Sequence, residues 1–511
     1  MLAKFRTVFL PALAVLSLLA TSCPLRAQTA PDPQLADNTS ESAPVEKSNE
    51  SIQPGSPVGV RIVEEASPTT PDDEAIDSQI DQNAMVALLK IIDLERWSMH
   101  YKLVATHEPR SRHLRYFLAQ DAAAALFLAS QIEGLDEAAI GIHSPKDVSS
   151  QVLHDANVCG LLGAILEGGS SAVELGSNGI LALKNRSKGQ DPATARRGAR
   201  ARLKEIDALL RQRDQLVAKT RGARSVVYED ESKLLKNFRD RTLFEFSDLY
   251  ADVKANQRSN NMYYALDVVG SACYMASYLI GFKSFANSNY VPASLIVGLV
   301  ADGLYLPSAP LYAWAYNKLN AHYLSRLSQE LNERFVDTGQ EIKDAIPKLH
   351  LDAKLLHESY LSGGIDQQVA DRRIAKLFLR IGAYELWARR IDEYVAGREV
   401  LLRQLARVAR QSNMSGPPIA ASFLGADIIG LNAHYNLSHN EKATNANLFG
   451  GFVTTTAASA FDFGFTTGWF IDDEITYHRL RKLHALPEQL VHQRITTLDE
   501  LDRLLSNQAA N

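Results

Sequence analysis

The chain has 511 residues, with 54 Lys and Arg against 59 Asp and Glu, a net charge of −5 and three cysteines. Charge this close to balance argues against nucleic acid as a main partner. Three cysteines cannot build a disulfide framework, so Cys159 and Cys273 read as small residues of apolar stretches.

The N-terminus reads as an export signal. Lys4 and Arg6 precede an apolar run from Val8 to Ala20, which is too short for a comfortable membrane span. Leu25-Arg26-Ala27 before Gln28 fits a cleavage site, giving a signal over 1–27. Ala20-Thr21-Ser22-Cys23 is a looser lipoprotein box and leaves lipidation of Cys23 as the alternative. From 28 to 80 the chain is rich in Pro, Ser, Thr and acids, with only Lys47 and Arg61 basic. Such a stretch buries too little apolar surface to offset its ordering entropy, and reads as a disordered acidic linker.

Beyond residue 80 helix signals dominate. Asp81 to Ile132 opens with Leu88, Ile91, Ile92 and Leu94, with Pro109 as an interruption. Asp191-Pro192 is an N-cap followed by proline at the first helical position. Leu203, Ile206, Leu210 and Val217 then form a stripe at helical spacing. Leu324, Leu327, Leu331 and Phe335 form another. Gly363-Gly364 predicts a break, followed by a long helix from about Asp366 to Arg410. Ile495, Leu498, Leu501 and Leu505 close the chain after Pro487. These charged, amphipathic stretches suit helix packing or short coiled coils.

Between them lie apolar stretches at 157–183, 263–285, 290–316, 418–435 and 447–471. Small residues recur four apart in Gly160/Ala164/Gly168, Ala421/Gly425 and Ala460/Gly464/Gly468, the spacing that lets helix backbones approach closely. Stretches 263–282 and 447–471 are long enough to span a bilayer, while Pro292, Pro307 and Pro310 interrupt 290–316. An aspartate near a helix centre costs roughly 2.5–3.5 kcal/mol to insert, and each large apolar residue returns only about 0.3–0.6 kcal/mol. Single helices are therefore marginal, and insertion is expected of hairpins that cover each other's acids.

A short unit recurs three times. Asn157-Val158-Cys159-Gly160, Asp267-Val268-Val269-Gly270 and Asp427-Ile428-Ile429-Gly430 form its first half, and the neighbourhoods of Glu174, Asp302 and Asp462 its second. Asp267 to Asp302 and Asp427 to Asp462 are each 35 residues, which predicts one helix-turn-helix path for 264–305 and 424–465. Asn157, Glu174, Asp267, Asp302, Asp427 and Asp462 are thus the polar candidates, because an ionisable group in an apolar stretch is expensive. Their expected roles are helix capping, pairing or bonding to a facing helix.

The segment from Lys184 to Arg224 holds thirteen Lys and Arg against four acids. Beside an apolar hairpin it suits anionic headgroups, with Arg196, Arg197, Arg200, Arg202 and Lys204 as the surface candidates. No histidine pair has metal-ligand spacing, and no phosphate-cradling glycine loop, Gly-x-Ser-x-Gly or Cys-x-x-Cys occurs. No cofactor or metal is therefore expected.

The expected fold is mainly α: an elongated helical protein alternating charged amphipathic helices with Gly/Ala-rich hydrophobic hairpins. One hairpin falls in each of 81–226, 227–345 and 346–511. The expected function is that of an exported, non-catalytic envelope protein acting by membrane or protein association, self-association included. A soluble pore-former-like protein that inserts hairpins on a trigger is one alternative. A hydrolase using the buried aspartates is another, although Gly425-Ala426-Asp427 departs from the Gly-x-Gly preceding an acid in intramembrane aspartyl proteases.

Overall fold

The computed structural model describes residues 71–106, 110–362 and 366–509. The signal, the cleavage site, most of the linker, the Pro109 interruption and the Gly363-Gly364 break lie outside the described residues. Among the described residues the fold is mainly α, with no strand. The long helices are α1 (Pro71–Thr106), α2 (Arg110–His143), α3 (Ser150–Ser187), α4 (Pro192–Val217), α5 (Ala223–Ser284) and α6 (Val291–Tyr305). They continue with α7 (Ser308–Leu331), α8 (Gly339–Ser362), α9 (Gln367–Asn436), α10 (Glu441–Lys482) and α11 (Pro487–Ala509).

Helix α1 starts ten residues before the expected end of the linker. Ile80 is fully buried with Val217 and Tyr228, Ile76 packs against them, and Asp77 pairs with Arg224 at 3.2 Å. Those contacts supply the burial that the composition of the segment did not suggest.

The charged helices share one core. Leu88, Ile91 and Ile92 of α1 meet Leu203 and Ile206 of α4, Leu234 and Phe238 of α5, and Ile346 of α8. Ile381 and Trp387 of α9 and Leu498 and Leu501 of α11 complete it. Phe238 stacks on Trp387 with centroids 4.4 Å apart. Each expected stripe faces this core or packs at its margin, as its 3.6-residue period requires. Helix α4 begins as its sequence dictates: the Asp191 carboxylate accepts from Thr194 N at 2.8 Å and Pro192 opens the first turn.

A buried ion cluster ties four of these helices together. Glu231 of α5 accepts from Arg213 Nη2 of α4 at 2.6 Å, from Arg380 Nε of α9 at 2.7 Å and from Tyr384 OH at 3.0 Å. Arg380 Nη2 also reaches Asp81 of α1 at 2.7 Å. Burial alone would raise the Glu231 carboxyl, but Arg380 and Arg213 outweigh it and hold the group at about 2.

Two helices run unbroken from this charged region into an apolar bundle. Helix α5 has 62 residues and α9 has 70, the latter carrying Pro417 and Pro418 inside it. The expected separation of a charged helix ending near Arg410 from an apolar one starting at 418 is therefore corrected: one helix carries both. The expected boundaries at 226/227 and 345/346 fall inside α5 and α8, and residues 65–511 cluster as one compact unit.

The bundle comprises three hairpins: α2/α3, the second half of α5 with α6, and the second half of α9 with α10. Pro292 opens α6, while Pro307 separates it from α7, so the 290–316 stretch is two helices. The three turns lie together. Asn445 Nδ2 donates to Gly141 O at 2.7 Å, and His154 packs on Phe282 with ring centres 4.9 Å apart.

Candidate functional site

The bundle is built inside out. The buried residues of α3 are Ala156, Gly160, Gly163, Ala164, Gly168, Ser171 and Glu174. On its outer face Leu162, Ile165, Val173, Ile180 and Leu183 are exposed, Ile180 by 70%. Helix α6 buries Gly298, Ala301 and Asp302 and exposes Ile296 and Val300. Helix α10 buries Gly451, Thr455, Ala458 and Ser459 and exposes Val453, Phe461, Ile471 and Ile475. A water-facing bundle would have the opposite distribution, as the charged core does.

Close packing explains the small residues of α3. A Cβ at Gly168 would stand 2.7 Å from Ser271 Cβ, and one at Gly160 would enter the Tyr278 ring. The other two stripes do not act this way. Ala421 and Ala460 are exposed, and nothing lies within 4 Å of a Cβ at Gly425 or Gly468.

Brought together by this packing is a chain of acids and hydroxyls. Ser171 Oγ of α3 donates to Asp267 Oδ2 of α5. Tyr305 OH of α6 donates to Asp267 Oδ1 at 2.8 Å and lies 3.0 Å from Ser271 Oγ. Ser271 Oγ in turn donates to Glu167 Oε2 of α3 at 3.1 Å. Tyr274 OH donates to Asp302 Oδ1, and its ring stacks on Tyr305 at 5.7 Å. Asp427 of α9 faces Asp302 and lies over Gly298 of α6. Asp462 of α10 is within electrostatic range of Glu167.

Sequence spacing found four of these five acids but not their partners. Asp267 and Asp302 do not face each other within their hairpin; each is held by groups of other helices. The equal spacing of 35 does not give equal paths either. Helix α5 ends 17 residues after Asp267, whereas α9 ends 9 residues after Asp427. The turn is thus displaced between the two segments. Asn157 and Glu174 sit on one unbroken helix and outside the acid chain. Asn157 Nδ2 donates to Tyr278 O at 2.8 Å near the turns, and Glu174 pairs with Arg112 at the other end. Glu167 was missed, although it is the one acid between Asp155 and Glu174 in α3.

No Lys or Arg occurs in 156–183, 259–282, 291–317, 416–436 or 443–477. Within these stretches, Asp267, Asp302 and Glu167 are held by serine and tyrosine hydroxyls, and Asp427 sits beside Asp302. A surface groove on α10, lined by Phe470, Ile471, Ile475, His478, Arg479 and Lys482, begins two turns beyond Asp462. Among the described residues, no group of three or more His, Cys, Asp and Glu could hold a metal ion.

The surface candidates of α4 are mostly engaged within the chain. Arg196 pairs with Glu330, Arg202 Nε reaches Asp93 at 2.8 Å and Arg200 donates to Glu330 O. Arg197 donates to Thr194 Oγ1 at 3.1 Å, and Lys204 is exposed.

Three helical stretches, Ser150–Val217, Ala223–Ser284 and Ser288–Leu331, each contain a window long and apolar enough to cross a membrane. Only 33%, 17% and 22% of these windows is buried within the structure. Helix α10, expected to be among them, is not: its most apolar stretch carries Thr454–Thr456, four glycine and serine residues and Asp462. No protein-family model matches the chain, nor does any curated protein or solved structure.

Proposed function

We propose that this is an exported envelope protein whose three-hairpin bundle is embedded in a membrane, and that it acts through membrane and protein association rather than catalysis. The inside-out bundle carries this reading. Small and polar side chains line its interior, and large aliphatic ones face outward with nothing covering them among the described residues.

Dimensions agree. From Tyr263 to Ser284 helix α5 rises about 32 Å, close to the roughly 30 Å of a hydrocarbon core. Among the described residues the exposed tyrosines and tryptophan are Tyr263 and Trp314 toward the charged region and Tyr290 and Tyr435 at the turns. Amphipathic rings at two levels suit the two membrane–water interfaces. Helix α6 has 15 residues, about 22 Å, and is too short to span by itself. It is covered by α5 and α9, with Tyr274 and Asp427 on its Asp302. The acid chain then serves to fix which helix faces which, because an unpaired polar group is costly in hydrocarbon.

Storage of the hairpins in a soluble form is less well supported, since the apolar faces are not packed against the charged helices. Fractionation in alkaline carbonate separates the two readings. The embedded protein stays with the membrane pellet; complete release into the supernatant defeats the proposal. Export is tested separately by sequencing the mature N-terminus, expected after Ala27.

A further inference from the structure

The bundle meets the charged region at a polar, aromatic level. Arg110 lies 3.3 Å from the centroid of the Tyr477 ring, Tyr263 packs edge-on to Tyr312, and Asn178 Nδ2 donates to Asn261 Oδ1 at 2.7 Å. Just beyond this level two helices end in exposed cations. Lys184, Arg186 and Lys188 close α3, and Arg479, Arg481 and Lys482 close α10. Helix α2 packs against both, through Arg112 to Glu174 and Arg110 to Glu474, and both helices run on past these pairs to their triplets. None of the six has an ion-pair partner among the described residues, whereas Arg196 and Arg202 of α4 do.

The groove on α10 leads to the second triplet. Phe470, Ile471 and Ile475 line it on the bundle side, Glu474 and His478 in the middle, and Arg479, Lys482 and Leu483 on the charged side; Glu474 is engaged by Arg110. A mainly apolar helix face with cations at its end matches an acyl chain with a phosphate above it, since cations bind phosphate oxygens by charge-assisted bonds. Along the helix the order is also right: the apolar part lies at bundle depth and the cations beyond the interface.

We propose that these two triplets bind the phosphate headgroups of anionic phospholipids in the leaflet facing the charged region, with one acyl chain lying in the α10 groove. The site rests on the membrane-embedded reading. It moves the lipid contact from the middle of α4 to the ends of α3 and α10. Clustered cations at a membrane surface are drawn to anionic lipid, with a contribution from each residue.

The test uses the full chain purified in an uncharged detergent. Thermal unfolding is followed with added phosphatidylglycerol, phosphatidylcholine or inorganic phosphate. Phosphatidylglycerol is expected to raise the midpoint; phosphatidylcholine and phosphate at equal concentration are expected to leave it in place. A variant with Lys184→Gln, Arg186→Gln, Lys188→Gln, Arg479→Gln, Arg481→Gln and Lys482→Gln should need at least about ten-fold more phosphatidylglycerol for the same rise. Its helical circular dichroism and carbonate resistance should match the parent. Equal effects of the two lipids overturn the site. So does an equal effect of free phosphate, or an undiminished lipid response in the variant. Release of the parent by carbonate instead defeats the embedded reading, and a carbonate-resistant parent with no lipid preference defeats the headgroup site alone.

Discussion

Asp302 of α6 and Asp427 of α9 face each other across two hairpins, although the sequence assigns them to different halves of different copies of its repeat. The same Asp302 also accepts from Tyr274 OH of α5. One carboxyl therefore joins three helices, and its hydrogen-bonding capacity matters more than its charge.

Replacing Asp302 separates those two properties. Asp302→Asn keeps an acceptor and adds donors, so thermal unfolding in detergent should move by less than about 1 kcal/mol. Asp302→Leu strands the Tyr274 hydroxyl and the Asp427 carboxyl, and should cost about 1–3 kcal/mol. Equal losses in both variants would show that the ionised group itself is needed.

The α3–α5 contact should be intolerant of bulk. At Gly168 even a methyl group meets Ser271, so Gly168→Leu should destabilise the bundle by roughly 1–3 kcal/mol. Gly425→Leu, on open surface, should cost little. Unfolding of both variants in the same detergent checks the contrast, and similar losses would mean the α3 contact is not tight.

The charged region carries a pH signature. Glu231 titrates at about 2 in the folded chain, against an ordinary value of 4.5. Because the folded value is depressed, its contribution to stability is complete above about 4.5 and is lost as pH falls toward 2. Glu231→Gln leaves Arg213 and Arg380 facing a neutral group and should cost roughly 3–5 kcal/mol at neutral pH. The variant should also lose less between pH 5 and pH 3 than the parent does. Parallel pH profiles for the two proteins would contradict a paired Glu231.

Legibility followed the range of the forces involved. Local signals read correctly: the Asp191-Pro192 start of α4, the core stripe from Leu203 to Val217, and the Gly160/Ala164/Gly168 face. What depends on distant contacts did not. A change in composition near Arg410 resembles a boundary, but one helix continues through it, even across Pro417 and Pro418, which bring no N–H of their own. The partners of Asp267 and Asp302 depend on how hairpins register against one another, which spacing along one chain does not encode. Glu167 lies outside the register of the repeat, which points instead to Glu174, an acid that Arg112 neutralises at the bundle's edge.

Depth profiling in lipid nanodiscs tests the embedded bundle most directly. Single cysteines at Val269, Val300, Ile428 and Phe461, in a chain freed of its own cysteines, are spin-labelled and relaxed with oxygen or with a water-soluble nickel chelate. Labels at these four outward positions are expected to respond to oxygen and not to nickel, while a label at exposed Lys204 responds to nickel. Strong nickel relaxation at all four bundle positions would place their faces in water and contradict the account.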